Sequence, residues 1–493
     1  MVSLLLLFTA CKEKLEVVDN TNLDPNNPDI VVIGSEIEGI YLARAAKDEG
    51  LSIVVLDPRD LSGGQLIQGE MHYLDEAIAD GGRSLLQGRV KELFDRYKKG
   101  DIRKAGEFSD YYKTLIEGIP VETAITITTL DIKRDAKTSN KTLHSISYRT
   151  KEGEEKKITA KYWVENTDFS AITSRLGISR IPGIETVFNE TGKTKDYMAA
   201  SMMMKFRNVD WDKFKREINR LSKDDITKKY GGESTVTDKF TWGFGNVGGS
   251  YKASSKEVFL RGLNTINQRD GEVLINALLL YNVDPAREES IRNAIELGKR
   301  ETERILPHLR KELPGWENAE VNGFPNYLYI RDFDRYETEY ILQASDQMSG
   351  KMFWDNVSIA GYPIDLQGTM DHPWGERKGD PDQYGIPLRA FIPKGYTNII
   401  TAGKNIGASA VAYGSARIQP NTSLAAEVIG IILARMDDGQ QLTEVTEKNM
   451  KEFHDYINKK YGITLRGAEG KNKIKYMSEE QIRQLNEGRL TLH

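Results

Sequence analysis

The sequence predicts an α/β fold in which a parallel sheet is assembled from two separated parts of the chain, with an α+β unit inserted between them. Three observations predict it. "DIVVIG" (Asp29 to Gly34) and "LSIVVLD" (Leu51 to Asp57) are β-branched runs suited to a sheet buried on both faces. A third such run, "NIITAG", comes far later and is followed by Pro420, Asn421, Thr422 and Ser423, a good helix start before "LAAEVIGIILA". Between them "YMAASMMMKF", the aromatic "FTWGFG" and the amphipathic "EESIRNAIELGKRETERILPHLRKEL" form a unit of different character, with the methionines expected in a core.

The chain has 493 residues, 39% of them hydrophobic, enough for roughly two to four domains. A net charge of −5, interspersed, favours no nucleic-acid partner and leaves a small-molecule substrate as the default. Cys11 is the only cysteine, so no intrachain disulfide or cysteine-ligated iron–sulfur cluster can form, and no metal site is expected. Its setting, "MVSLLLLFTACKEK", resembles a bacterial lipoprotein signal without the basic n-region: residues 1–10 as signal, Cys11 as lipid anchor, 11–28 as a polar tether. That places the protein on the extracytoplasmic face of the cell membrane; the alternative is an apolar terminus of a cytoplasmic enzyme.

From Glu38 the apolar positions Ile40, Leu42, Ala43 and Ala46 suit a helix on the sheet, with Gly39 allowing close approach at its start. Asp57 ends the second strand about 20 positions after the turn, where an acid meets a ribose hydroxyl. The turn itself, "GSEIEG" (Gly34 to Gly39), carries Glu36 where GxGxxG has its second glycine. By contrast "GFGNVG" (Gly243 to Gly248) satisfies the pattern letter by letter, yet has neither a buried strand before it nor an amphipathic helix after it, and reads as a loop. "EAIADGGRSLLQGRVKELFDRYKKG" reads as helical, "KEGEEKK" as a solvated hairpin, and the tail from Thr443 as short polar helices.

After Asp57, "DPRDLSGGQLIQGEMHYLDEA" places Gly63, Gly64 and Gly69 in a loop. Here the chain resembles the FAD-dependent oxidoreductases related to glutathione-reductase-type flavoproteins, in the branch similar to the flavin-carrying component of heterodisulfide reductase. Against that family "GSEIEG" is a variant turn, and the GG loop lies along the flavin diphosphate. "KYWVENTDFSAITSRLGI" is similar to the family's DATGD turn, though Thr167 runs directly into Asp168; "AGK", "GSAR" and the Pro420 helix are similar to its flavin-closing segment. The resemblance implies a Rossmann-like FAD-binding domain, discontinuous over 29–190 and 350–440, an inserted α+β substrate or cap domain over 191–349, and a helical extension over 441–493.

It further implies FAD contacts from Gly34, Ser35, Glu36, Glu38, Gly39, Asp57, Pro58, Arg59, Gly63, Gly64, Gln65, Gly69, Ile127, Thr167, Gly403, Lys404, Gly414, Ser415, Arg417, Asn421 and Thr422. The helix start suits the flavin edge that becomes anionic on reduction, reinforced by Arg417. Lys404 in place of arginine and Tyr413 in place of histidine depart from the family. Candidate catalytic residues are His72, Arg331, His372, Tyr413 and Arg417, with a carboxylate clamp from Arg331 and Arg335 set against ordinary salt bridges, and His72 set against a structural histidine. The expected function is hydride transfer between FAD and a small organic substrate, with an unknown electron acceptor. The competing class is a lipid-anchored flavin- or glycan-binding protein without turnover. Glu36 must turn from the phosphates or meet a cation, Lys404 first and Arg59 second.

Overall fold

The computed structural model describes residues 26–188 and 195–492. The signal, most of the tether and Cys11 lie outside the described residues. Among those described, no helix is long and apolar enough to cross a membrane.

The first two β-branched runs form the middle and the third an edge of a five-stranded parallel sheet, ordered Ile399–Thr401, Tyr162–Glu165, Ile30–Ile33, Ile53–Asp57, Val121–Thr123. Alternation along the first strand decides its two faces. Ile30 and Val32 join the core beneath the helices, whereas Val31 and Ile33 pack toward Leu143, Ile146 and Ile158 of an antiparallel three-stranded sheet, Thr126–Arg134, Lys141–Arg149, Glu155–Thr159. The "KEGEEKK" run turns between the last two of these strands, exposed as its charges require. On the helical face, Ile37–Asp48 lies against Gln419–Arg435, where Gly430 leaves room for the Leu42 carbonyl. Residues nearly 400 positions apart in sequence therefore share one layer.

A six-stranded antiparallel sheet follows, ordered Glu320–Val321, Ala200–Arg207, Glu272–Leu280, Val258–Arg269, Phe240–Trp242, Thr235–Val236. Met202, Met203 and Met204 are fully buried in it, and the long helix Glu288–Glu312 packs on Met202 through Gly298.

Two local expectations change. Glu76 to Gln87 holds no α-helix, only a short 3-10 turn at Asp80–Gly82: Gly81 and Gly82 take φ of +75° and +79°, and an Ile78–Ser84 bridge folds the segment back before the helix Gly88–Lys99 begins. "GFGNVG" lies against the antiparallel sheet and includes the start of a short helix, Gly245–Ser250, preceded by Phe244 in the left-handed region. Its glycines serve packing, since a Cβ at Gly248 would overlap the Arg261 carbonyl and one at Gly243 would stand 2.7 Å from Ser234 Cα.

Candidate functional site

The carboxyl ends of the parallel strands deliver Gly34, Asp57, Glu165 and Thr401 to one edge of the sheet, where ligands bind in such folds. A cleft of about 590 Å³ opens there. Its lining includes Gly34, Ser35, Glu36, Asp57, Pro58, Arg59, Gly64, Ile127 and Thr167 from the sequence-expected set. Burial pushes the Asp57 carboxyl up to about 6, against the pull of the Ser35 hydroxyl and the Arg59 N–H (2.8 Å) that it accepts. Ser35 Oγ also accepts from Gly63 N (2.8 Å), which ties the first turn to the GG loop.

Arg59 is held on both faces. Its guanidinium lies 4.3 Å from the Phe169 ring centre and 4.9 Å from that of Tyr327, and it donates to Asp168 (3.2 Å) and the Pro285 carbonyl (2.7 Å). Tyr327 OH donates to Asp168 as well, at 2.7 Å. Tyr327 and Phe169 were missed from sequence, because a single aromatic, whether in the inserted segment or beside Asp168, carries no pattern that places it beside Arg59.

At the turn, Gly39 N donates to Asn166 Oδ1 (2.9 Å), and a Cβ at Gly39 would overlap that amide. Glu36 caps the helix start without using its side chain there. Its carboxylate instead reaches across to the GG loop and accepts Gln65 N at 3.0 and 3.2 Å, seated where a Cβ on Gly64 would be. Glu38 accepts from Thr422 Oγ1 (3.2 Å) and lies 3.1 Å from where a Cβ on Gly403 would stand. Lys404 Nζ donates to Gln65 Oε1 and the Ile330 carbonyl, both at 2.7 Å. The expected Glu36–Lys404 contact is thus corrected: among the described residues no direct ion pair joins them, because Gln65 stands between, and Arg59 is engaged by Asp168. Burial raises both glutamates, Glu36 to about 8, with Lys404 the largest opposing influence on each.

At the head of the helix Gln419–Arg435, Asn421 donates to the Ser415 carbonyl (3.0 Å), and Ser415 Oγ donates to the Tyr362 carbonyl (2.7 Å). Gly414 fits against the Asp365 backbone, and Gly69 against the Gln65 carbonyl. Arg417 donates to Tyr329 OH and the Asp365 carbonyl, each at 3.2 Å. A cavity of about 20 Å³ joins Gln65, Asp75, Tyr329, Arg417 and Pro420. Burial pushes Asp75 up to about 6, making it a second acid that sequence reasoning passed over.

The catalytic candidates separate. Arg331 donates to the Ala199 carbonyl, Ser201 Oγ and Asn276 Oδ1; Arg335 pairs with Asp332 at 2.5 Å and lies over the Tyr413 ring. Tyr413 OH donates to the Arg331 carbonyl. These groups cluster beside Arg417 and Lys404; the Arg331 Nη atoms and the Tyr413 hydroxyl are engaged by the protein, whereas Arg335 Nε is buried without a partner. His72 stacks on Phe108 at 3.9 Å with Nε2 on the Leu66 carbonyl, and burial lowers it to about 3, so it stays neutral in the core. His372 sits in an exposed turn against Phe188, away from the cleft lining.

The donor set fits an FAD at both ends. The cleft supplies Asp57 and an aromatic-backed arginine for the adenosine end. At the other end Arg417 Nε, Gln419 Oε1 and Ser423 Oγ are buried without partners around one helix start, as polar atoms awaiting a polar ring edge are.

No curated protein matches this chain. Solved structures similar to it include the myxobacterial chondrochloren halogenase CndH, at 13% identity and TM-score 0.39, covering 89% of this chain and 80% of that one. The tetracycline destructase Tet(51) aligns at 10% identity and TM-score 0.38 over 95% and 98% of the two chains. The p-nitrophenol 4-monooxygenase PnpA from Pseudomonas putida DLL-E4 does so at 11% and 0.36, over 94% and 92%. The family model described as FAD dependent oxidoreductase matches residues 29–455, nearly the whole of the described fold. The chain therefore belongs to the FAD-dependent oxidoreductase family, and its cofactor is FAD.

Proposed function

We propose that this protein is an oxidoreductase that moves a hydride between FAD and a small organic substrate held between the antiparallel sheet and the flavin site. The observation that supports the reading is the hydrogen bond from Thr422, on the C-terminal helix, to Glu38, two residues beyond the cleft-lining Glu36, which sets the turn at the cleft against the helix head that carries the unpartnered Gln419 Oε1. The chemistry FAD supplies when bound is hydride transfer. The chain's own residues bind and orient. Asp57 is placed to accept ribose hydroxyls, and Asp57→Asn should weaken FAD binding about ten- to a hundredfold in an equilibrium titration, the loss of one charge-assisted hydrogen bond. Arg417, fixed by Tyr329 and Asp365, directs positive charge to the helix start. Asp75 borders the same small cavity and is the proposed proton carrier.

Anaerobic mixing of the FAD-loaded protein with a panel of alcohols, amines and acids tests the reading. Substrate-dependent bleaching of the flavin band is expected; no bleaching with any of them, with flavin still bound, would favour a binding protein without turnover. With one strand–glycine–helix unit in the sequence, reduction by NADH or NADPH should be slow.

We further propose that the protein is anchored through lipid on Cys11 at the extracytoplasmic face of the membrane. Support comes from the "LLLLFTAC" stretch alone. Cys11→Ser should abolish lipid labelling and release the protein from membranes; identical soluble fractionation of both forms would refute the anchor.

A further inference from the structure

Two carboxyl groups of the chain's own stand between the GG loop and the C-terminal helix, beside the cleft. The GG loop offers the Gln65 N–H, in the short helix that begins at Gly64, and this N–H is taken by the Glu36 carboxylate. The C-terminal helix offers Thr422 Oγ1, which donates to Glu38. Both carboxylates rest on glycine backbone, Glu36 on Gly64 and Glu38 on Gly403, where no side chain would leave them room. Glu38 Oε2 is buried without a partner. A loop N–H, a helix-start hydroxyl, glycine surfaces and a nearby buried lysine are what a diphosphate needs.

We propose that Glu36 is an internal stand-in for the cofactor's diphosphate, and that FAD binds by displacing it in its neutral, protonated form. This rests on the reading of the cleft as the FAD site. The physical ground is repulsion. An ionised carboxyl and a doubly charged diphosphate competing for one N–H, inside a buried site, repel by on the order of several kcal/mol, and a proton on the carboxyl removes that cost.

The surroundings decide when that proton is present. Facing Glu36 are Lys404 across Gln65, Glu38 on its own helix, Asp168 with Arg59 and Tyr327 on the cleft wall, and Asp57 and Tyr112 on either side of Ser35. Three carboxylates against two cations, one of them already paired with Asp168, leave the position short of positive charge. Burial, opposed by Lys404 and helped by Asp168 and Glu38, raises the Glu36 carboxyl to about 8. Below that pH the acid is already neutral and FAD enters at no protonic cost; above it, each binding event takes up a proton. The same arrangement leaves the Gln65 N–H and Thr422 hydroxyl satisfied without cofactor, so the chain can fold before FAD arrives.

The test is titration of FAD into cofactor-free protein between pH 6.5 and 9.5, with wild type and Glu36→Gln, and with adenosine as a probe lacking the diphosphate. Gln keeps the size of the side chain and an oxygen to accept the Gln65 N–H. For wild type the association constant should be level up to about pH 8 and fall about tenfold per pH unit beyond it. Glu36→Gln should bind FAD with no such fall, and adenosine should show no pH dependence with either protein. Calorimetry of wild type at pH 9 in buffers of different ionisation enthalpy should report nearly one proton taken up per FAD, a readout that holds even if the variant does not fold. A wild-type FAD affinity independent of pH, a Glu36→Gln variant with the same slope, or a slope with adenosine would overturn this inference alone. Absence of FAD binding by both proteins at every pH would overturn it together with the flavoenzyme reading.

Discussion

Gly34→Ala should cost the fold about 2–5 kcal/mol, a large effect for a single methyl group. Two costs add. Gly34 has φ of +93°, a left-handed conformation that costs an alanine roughly 1–2 kcal/mol. Its Cβ would also stand 2.6 Å from the Asn166 carbonyl oxygen, 2.7 Å from its carbon and 2.8 Å from Thr167 N. Those atoms cannot withdraw. Asn166 N is bonded to Ile33 O, and Gly34 N to Leu56 O, each at 2.8 Å, so relief means parting the central strands of the sheet. Overpacking of that kind adds roughly 1–3 kcal/mol. Gly50, with φ of +99° and nothing within 4 Å of an added Cβ, isolates the first cost, and Gly50→Ala should lose only about 1 kcal/mol. Urea midpoints of the two variants separate backbone strain from close approach. Equal losses would show that the contact with Asn166 is slack.

Lys404→Met should be nearly as damaging, and its cost should grow with pH. The substitution leaves Gln65 Oε1 and the Ile330 carbonyl without their donor, about 2 kcal/mol in a buried site, and removes the cation nearest two buried glutamates. The sign of the pH effect follows from burial. Glu36 and Glu38 are both raised above their unfolded value of 4.5, so their contribution to stability is fully present below about pH 4.5 and is lost as pH rises through the folded values, about 8 for Glu36. Without Lys404 those folded values rise further. The variant should therefore lose about 2 kcal/mol at pH 6 and roughly 1–2 kcal/mol more at pH 9. Adding Glu36→Gln should recover part of the high-pH loss, since the two side chains act on one electrostatic cluster. A penalty identical at both pH values would mean that Lys404 serves only its two hydrogen bonds.

The strands, the turn and the C-terminal helix were legible because each announces itself locally. β-branched runs end in glycine, Asp57 follows at the ribose distance, and Pro420 opens the helix. Context also outweighed letters: the imperfect "GSEIEG" lines the cleft, while the letter-perfect "GFGNVG" packs against an antiparallel sheet. What the sequence concealed is long-range. Nothing near Arg59 signals that Tyr327 will stack on it, and nothing near Lys404 signals that Gln65 will hold its ammonium away from Glu36. Glu76 to Gln87 misled because its apolar spacing suits a helix, whereas Gly81 and Gly82 favour a fold-back that tertiary contacts then fix. His72 shows the same limit. A histidine after a glycine loop invites a catalytic role, yet the structure stacks it on Phe108 and keeps it uncharged.

Titration of FAD with the purified protein at pH 7, where Glu36 is still largely protonated, decides in the visible spectrum whether the cleft and the Pro420 helix hold one flavin between them. A shifted, vibrationally resolved flavin band that saturates at one FAD per chain is expected. A flavin spectrum and fluorescence unchanged at protein concentrations well above those of FAD, or recovery of stoichiometric NAD in its place, would contradict it.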